Sequence, residues 1–157
     1  MVLAPEYKTV LDNVKGTEYE AAVLEYIEKE KLADKAKERG AQLTAGLMEL
    51  QKKYSCIGDI RGLGLMIGAE FITEDGSPNP ELLDKVLEEM KDRGYIIGKN
   101  GVGRNVMAFQ PPLVITEDDI NNVLNELDMG RLRAYTDLFK SKALSSRIDT
   151  LIKAYGL

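Results

Sequence analysis

From Leu63 to Phe71 the odd positions are Leu63, Leu65, Ile67, Ala69 and Phe71, and the even ones are Gly64, Met66, Gly68 and Glu70. A period of two predicts a strand with one bulky face. Two glycines on the other face predict close approach of another backbone or element there. Gly58-Asp59 reads as a turn and Arg61-Gly62 as the bend that leads into this strand. Downstream, Leu82, Leu83, Val86, Leu87 and Met90 recur at helical spacing, with Asn79 as N-cap, Pro80 at the first helical position and Gly94 as C-cap. Tyr95 to Lys99 and Asn105 to Gln110 read as two short strands, the second halted by Pro111-Pro112. The loop around Gly101 and Gly103 predicts an antiparallel hairpin between them. Thr116 then caps a helix with an acidic first turn, Glu117-Asp118-Asp119, and a core face of Ile120, Val123, Leu124 and Leu127.

Upstream of the glycine-rich strand, Ala21, Leu24 and Ile27, then Leu32, Ala36, Leu43, Leu47 and Leu50, predict two consecutive helices with a break between Lys29 and Leu32. Each end of the chain adds helical pattern. Tyr7, Val10, Leu11 and Val14 share a face before Gly16, and Leu132, Tyr135, Leu138 and Phe139, then Ile148, Leu151, Ile152 and Tyr155, do so after Asp128. The expected fold is α+β in two layers. A small, mostly antiparallel, three-stranded sheet (63–73, 95–99 and 105–110) carries the helices that start at Pro80 and Glu117 on one face. The expected organisation is a single domain over 1–157, with a core at 20–128 and added helices at 1–16 and 129–157.

Length and charge narrow the classes. The 157 residues suit one domain, and a net charge of −5 with acidic and basic residues intermixed argues against a nucleic-acid surface. Cys56 is the sole cysteine and there is no histidine, so disulfides, thiolate or imidazole metal sites and histidine triads are ruled out. Cys56 is expected to be a small buried residue beside Tyr54. No stretch is apolar enough for a bilayer span and Met1 to Leu11 lacks the features of a secretion signal, which predicts a cytoplasmic protein without a membrane partner.

The run Gly58-Asp59-Ile60-Arg61-Gly62-Leu63-Gly64-Leu65-Met66-Ile67-Gly68-Ala69-Glu70, followed by Pro111-Pro112-Leu113-Val114-Ile115-Thr116-Glu117-Asp118-Asp119-Ile120, resembles the C-terminal small domain of class III aminotransferases. These are the pyridoxal-phosphate enzymes of the ornithine, acetylornithine and 4-aminobutyrate type. The resemblance runs from about Glu20 to Asp128. It implies a chemistry that needs a lysine in Schiff-base linkage to the cofactor, an acidic residue at the pyridine nitrogen and a phosphate cup. In that family all three belong to the large domain, so the resemblance implies no cofactor in this chain by itself and a large aminotransferase domain, or self-association, as partner.

The resemblance also implies a small-domain arginine aimed at the substrate carboxylate, at a position occupied here by Ala108. Alanine cannot form a bidentate carboxylate clamp. Arg104, four residues earlier, is the substrate-carboxylate candidate, and the alternative for it is a solvated loop arginine. Lys99 in Gly98-Lys99-Asn100-Gly101 matches neither the family's lysine context nor a P-loop and reads as a loop lysine. Arg61 reads as structural, bonding carbonyls at the strand mouth. Glu70 and Asp59 read as surface or turn residues rather than as an acid–base pair. No catalytic, cofactor-binding or metal-ligating residue is assigned. Two functions follow: a class III aminotransferase fragment, inactive alone, or an engineered or structural stand-alone domain without catalysis.

Overall fold

The computed structural model describes residues 17–128. The helices expected at 1–16 and 129–157 lie outside the described residues. The described chain forms helices α1 (Thr17–Lys29) and α2 (Leu32–Lys53), strands β1 (Ile57–Leu63) and β2 (Met66–Phe71), helix α3 (Pro80–Asp92), strands β3 (Gly98–Asn100) and β4 (Val106–Phe109), and helix α4 (Glu117–Asp128). The strands make one antiparallel sheet in the order β1-β2-β4-β3.

The helix boundaries follow local chemistry. α1 and α2 are separated at Lys31, whose φ of 50° is left-handed and interrupts the helical path. The Asn79 side chain accepts the Leu82 N–H at 3.1 Å, and Pro80 supplies a first-turn residue with no N–H to satisfy. At the other end of α3, Gly94 has a φ of 89°. Its N–H donates to the Lys91 carbonyl at 2.9 Å, while the Tyr95 N–H donates to that of Met90 at 2.9 Å. That pair of bonds is a Schellman cap. Thr116 and Asp119 cap α4 reciprocally: the Asp119 N–H donates to Thr116 Oγ1 at 3.2 Å, and the Thr116 N–H donates to Asp119 Oδ2 at 3.0 Å.

The sheet corrects the expected count of three strands. Residues 57–63, read as a turn and a bend, are a full strand, and Gly64-Leu65 is a two-residue hairpin loop between Leu63 and Met66. The alternation that marks a half-buried strand is missing there because the register shifts between Ile57 and Ile60, the signature of a bulge. The expected strand at 95–99 is displaced to 98–100, since the Tyr95 N–H is already used by the α3 cap.

One face of the sheet holds the core. Ile67 pairs with Phe109 and Ala69 with Met107, and these side chains join Phe71 in one cluster with Leu43, Leu47 and Leu50 of α2. The stripes of α3 and α4 enter the same cluster through Leu82, Leu83, Val86 and Met90 and through Ile120, Val123 and Leu127. Cys56 and Tyr54 are buried there too, as their setting predicted.

The two glycines of the even positions serve different ends from those expected. Gly64, with a φ of 55°, lies in the hairpin loop rather than on a strand face. Its carbonyl oxygen presses on α2, where a Cβ on Gly40 would come within 2.0 Å of it. Gly68 is not under a helix or another backbone: a Cβ there would meet Val106 Cγ1 of β4 at 2.9 Å.

Candidate functional site

Where the two halves of the fold meet, between the segment after α3 and the segment after β4, there is an open groove of about 570 Å³. Tyr95, Ile96 and Ile97 form one wall, Pro111, Pro112 and Val114 another, and Phe109, Ile120 and Val123 the floor. The Schellman cap of α3 turns Tyr95 to Ile97 out of the helix before β3 begins, and the proline pair ends β4 before α4. The groove therefore exists because neither segment can continue its neighbour's regular structure. Ile96 is 94% exposed, and Leu113 and Val114 are also exposed. Asp119 is the single charged residue in the lining. Its hydrogen bonds from the Thr116 hydroxyl and backbone hold its carboxyl below the usual carboxylate range.

Ala108, standing where the resemblance places an arginine, is buried in β4 opposite Gly98 and lines this groove. Arg104 is at the opposite end of β4, in the 101–105 loop and outside the groove lining. Its φ of 49° is left-handed, unusual for a side chain other than Asn, Asp or Gly. Its guanidinium has no hydrogen bond or ion pair among the described residues. Asn105 beside it is buried, and its side chain donates to the Phe71 carbonyl at 3.0 Å, which ties the loop base to β2.

Lys99 is held. Its Nζ lies 2.5 Å from Asp84 Oδ1 and 3.5 Å from the Pro80 carbonyl, and only 12% of the side chain is exposed. Arg61, expected to bond carbonyls, instead bridges two carboxylates across the β1–β2 hairpin, Asp59 and Glu70, each at 2.7 Å. Those bonds, Asp59's first, keep the guanidinium above its already high ordinary value. Asp59 and Glu70 are thus joined through a cation on two adjacent strands, and neither is in a turn. Among the described residues no group of three or more acidic or sulfur side chains could hold a metal ion.

Pyridoxal phosphate does not fit the described groove on its own. Neither lysine nor arginine is in the lining to take a covalent link or a phosphate dianion, and Lys99 is committed to Asp84. The groove can receive apolar groups; bond-making groups would have to come from elsewhere.

A four-stranded antiparallel sheet with helices over one face and an open apolar groove at its rim defines an α+β domain of the kind found inside larger enzymes. The family model for aminotransferase class-III matches residues 13–129, and the chain belongs to that family. It is 36% identical over 124 residues to the mitochondrial alanine–glyoxylate aminotransferase 2 homolog 2 of Arabidopsis thaliana, covering 78% of this chain and 26% of that protein. It is also 36% identical over 121 residues to an alanine/serine racemase of Pyrococcus horikoshii, covering 77% of this chain and 25% of that one. Among solved structures it is similar to an Arthrobacter phospholyase in complex with phosphoethanolamine, with a TM-score of 0.69 and 30% identity over 72% of this chain and 27% of that one. The chain thus spans about a quarter of the length of the relatives it matches. Their names cover a transaminase, a racemase and a phospholyase, so membership by itself assigns no substrate.

The sequence reading missed the groove and the contact between Gly40 and Gly64. A signal for the first was present in Pro111-Pro112 following an apolar strand so closely. The second depends on where a helix meets a loop far away in the chain, which no local pattern encodes.

Proposed function

We propose that this chain is the C-terminal small domain of a pyridoxal-phosphate-dependent class III aminotransferase and performs no transamination alone. The observation that carries the reading is one of extent. The family match takes up most of this chain and only a quarter of its relatives, while the described groove offers no cationic group for the cofactor. The cofactor, when bound in such an enzyme, supplies the electron sink. This chain's part is to shape one wall of the substrate space with Ala108, Pro111 and their neighbours, and to offer Arg104 to a substrate carboxylate. The partner is a large aminotransferase domain, or a second copy, in the cytosol. Nucleic acid and membrane are not partners; among the described residues no helix is long and apolar enough to cross a bilayer. The alternative, an engineered or structural stand-alone domain, is favoured by the single continuous core that 17–128 build without help.

The test has two arms. With pyridoxal phosphate added, the 157-residue chain is expected to transfer no amino group from alanine, ornithine or 4-aminobutyrate to pyruvate or 2-oxoglutarate, and to form no yellow, borohydride-reducible lysine adduct. Turnover by the chain alone would overturn the proposal. Supplied with the large domain of a class III relative as a separate polypeptide, the chain is expected to restore turnover. In that mixture Arg104→Ala should raise KM for the carboxylate substrate by roughly ten- to a hundredfold, the loss of a charge-assisted hydrogen bond. Failure of every large domain tried would leave the stand-alone reading in its place.

A further inference from the structure

The groove faces an acidic body, and the rest of the chain is basic. Of the twenty-six acidic residues, twenty-two fall within 17–128, against thirteen of the twenty-one basic ones. Residues 129–157 reverse the balance, with six basic side chains and two acidic ones. That segment also carries the unused apolar stripe Leu132, Tyr135, Leu138 and Phe139 at helical spacing. On the body, the exposed acidic turn Glu117-Asp118-Asp119 opens α4, and Asp119 reaches the groove lining.

We propose that the segment Arg131 to Leu144 folds back along α4 and lays its Leu132–Phe139 stripe into the groove, as an intramolecular occupant of that apolar surface. Three features of length and chemistry agree. Gly130 comes two residues after the last residue of α4, where a glycine lets a chain reverse direction. The twelve residues of α4 span about 18 Å and the fourteen residues 131–144 would span about 21 Å as a helix, so the two match in length. Reversal at Gly130 also brings Lys140 and Lys142, about ten residues on, level with Glu117, Asp118 and Asp119, about ten residues back. Opposite charges then face each other at the open end of the groove, while Tyr135, Leu138 and Phe139 cover Ile96 and Val114, whose exposure the body alone leaves unrelieved. This inference does not rest on the aminotransferase reading, and its test reads no turnover.

The experiment is methyl NMR on the full chain. Nuclear Overhauser contacts are expected between the aromatic protons of Tyr135 and Phe139 and the methyls of Ile96, Val114 and Ile115. In the double variant Leu138→Ser, Phe139→Ser, those groove methyls should shift while the buried Leu83 methyls, which report folding of the core, stay in place. Lys140→Glu should move the same groove signals in the same direction by a smaller amount. Absence of the contacts in the unsubstituted chain would overturn the proposal even if the variant fails to fold, and so would groove methyls that ignore the double substitution. Contacts appearing only between differently labelled copies would place the segment on a neighbouring molecule and reject the intramolecular arrangement.

Discussion

The two hairpins of the sheet are built to opposite ends. The β1–β2 hairpin turns in two residues and has its loop carbonyl pressed against α2 at Gly40, so backbone meets backbone with no side chain between. The β3–β4 hairpin has a three-residue edge strand, a longer loop with Val102 fully exposed, and an apolar groove at its far end. The same sheet is therefore closed along one edge and open at the other. What separates them is the loop: Gly64 permits a tight reversal that brings a helix into contact, whereas the α3 cap and the proline pair hold the second hairpin's flanks apart. A small domain can keep a receptive surface only if the rest of its core is complete without it.

The largest expected effect lies at the closed edge. Gly40→Val puts a side chain where Gly64's carbonyl now sits, and backbone cannot step aside as a side chain can. A loss of about 3 kcal/mol is expected in a denaturant melt, the upper end for overpacking. An unchanged midpoint would mean that α2 and the hairpin loop separate freely. Gly68→Leu, near the middle of the sheet, meets the Val106 side chain instead and should lose about 1 to 3 kcal/mol. If it equalled Gly40→Val, the distinction between backbone and side-chain obstruction would fail.

Thr116→Ala, beside the groove, removes one half of the α4 capping pair and should lower stability by about 1 kcal/mol at neutral pH. The Asp119 carboxyl has its folded-state pKa lowered, chiefly by the Thr116 hydroxyl and then by the Thr116 backbone. A depressed carboxylate contributes stability above its unfolded value, about pH 3.9, and loses it as pH falls through the lower folded value. Asp128, lowered chiefly by Lys53 with help from Tyr54, acts in the same sense across the α2–α4 ends. Melts at pH 7 and pH 3 should therefore show the Thr116→Ala difference shrinking in acid; a difference that stays constant would assign the cap to the hydroxyl alone. The smallest effect belongs to the open hairpin. Val102→Ser changes a fully solvated side chain and should alter stability by no more than about 0.5 kcal/mol, and a larger loss would show the second loop to be packed after all.

Local pattern read in one dimension determined the helices and their caps. The break near Lys31, the Asn79–Pro80 start, the Gly94 stop and the Thr116 cap are each decided by residues within a few positions of one another, which is why they stood legible in the chain. The odd-face core of β2, from Leu65 to Phe71, was legible for the same reason. β1 was not, because its bulge destroys the alternation that identifies a strand, and its turn-like Gly58-Asp59 and Arg61-Gly62 are paired residues only when β2 lies beside them. The roles of the charged candidates were also settled in three dimensions. Lys99 finds Asp84 from a different element, and Arg61 finds Glu70 across a hairpin that the sequence had not disclosed. The groove belongs to the tertiary structure entirely, since it is space left between two segments whose separate irregularities meet only after α3, β4 and α4 have packed on the same face of the sheet.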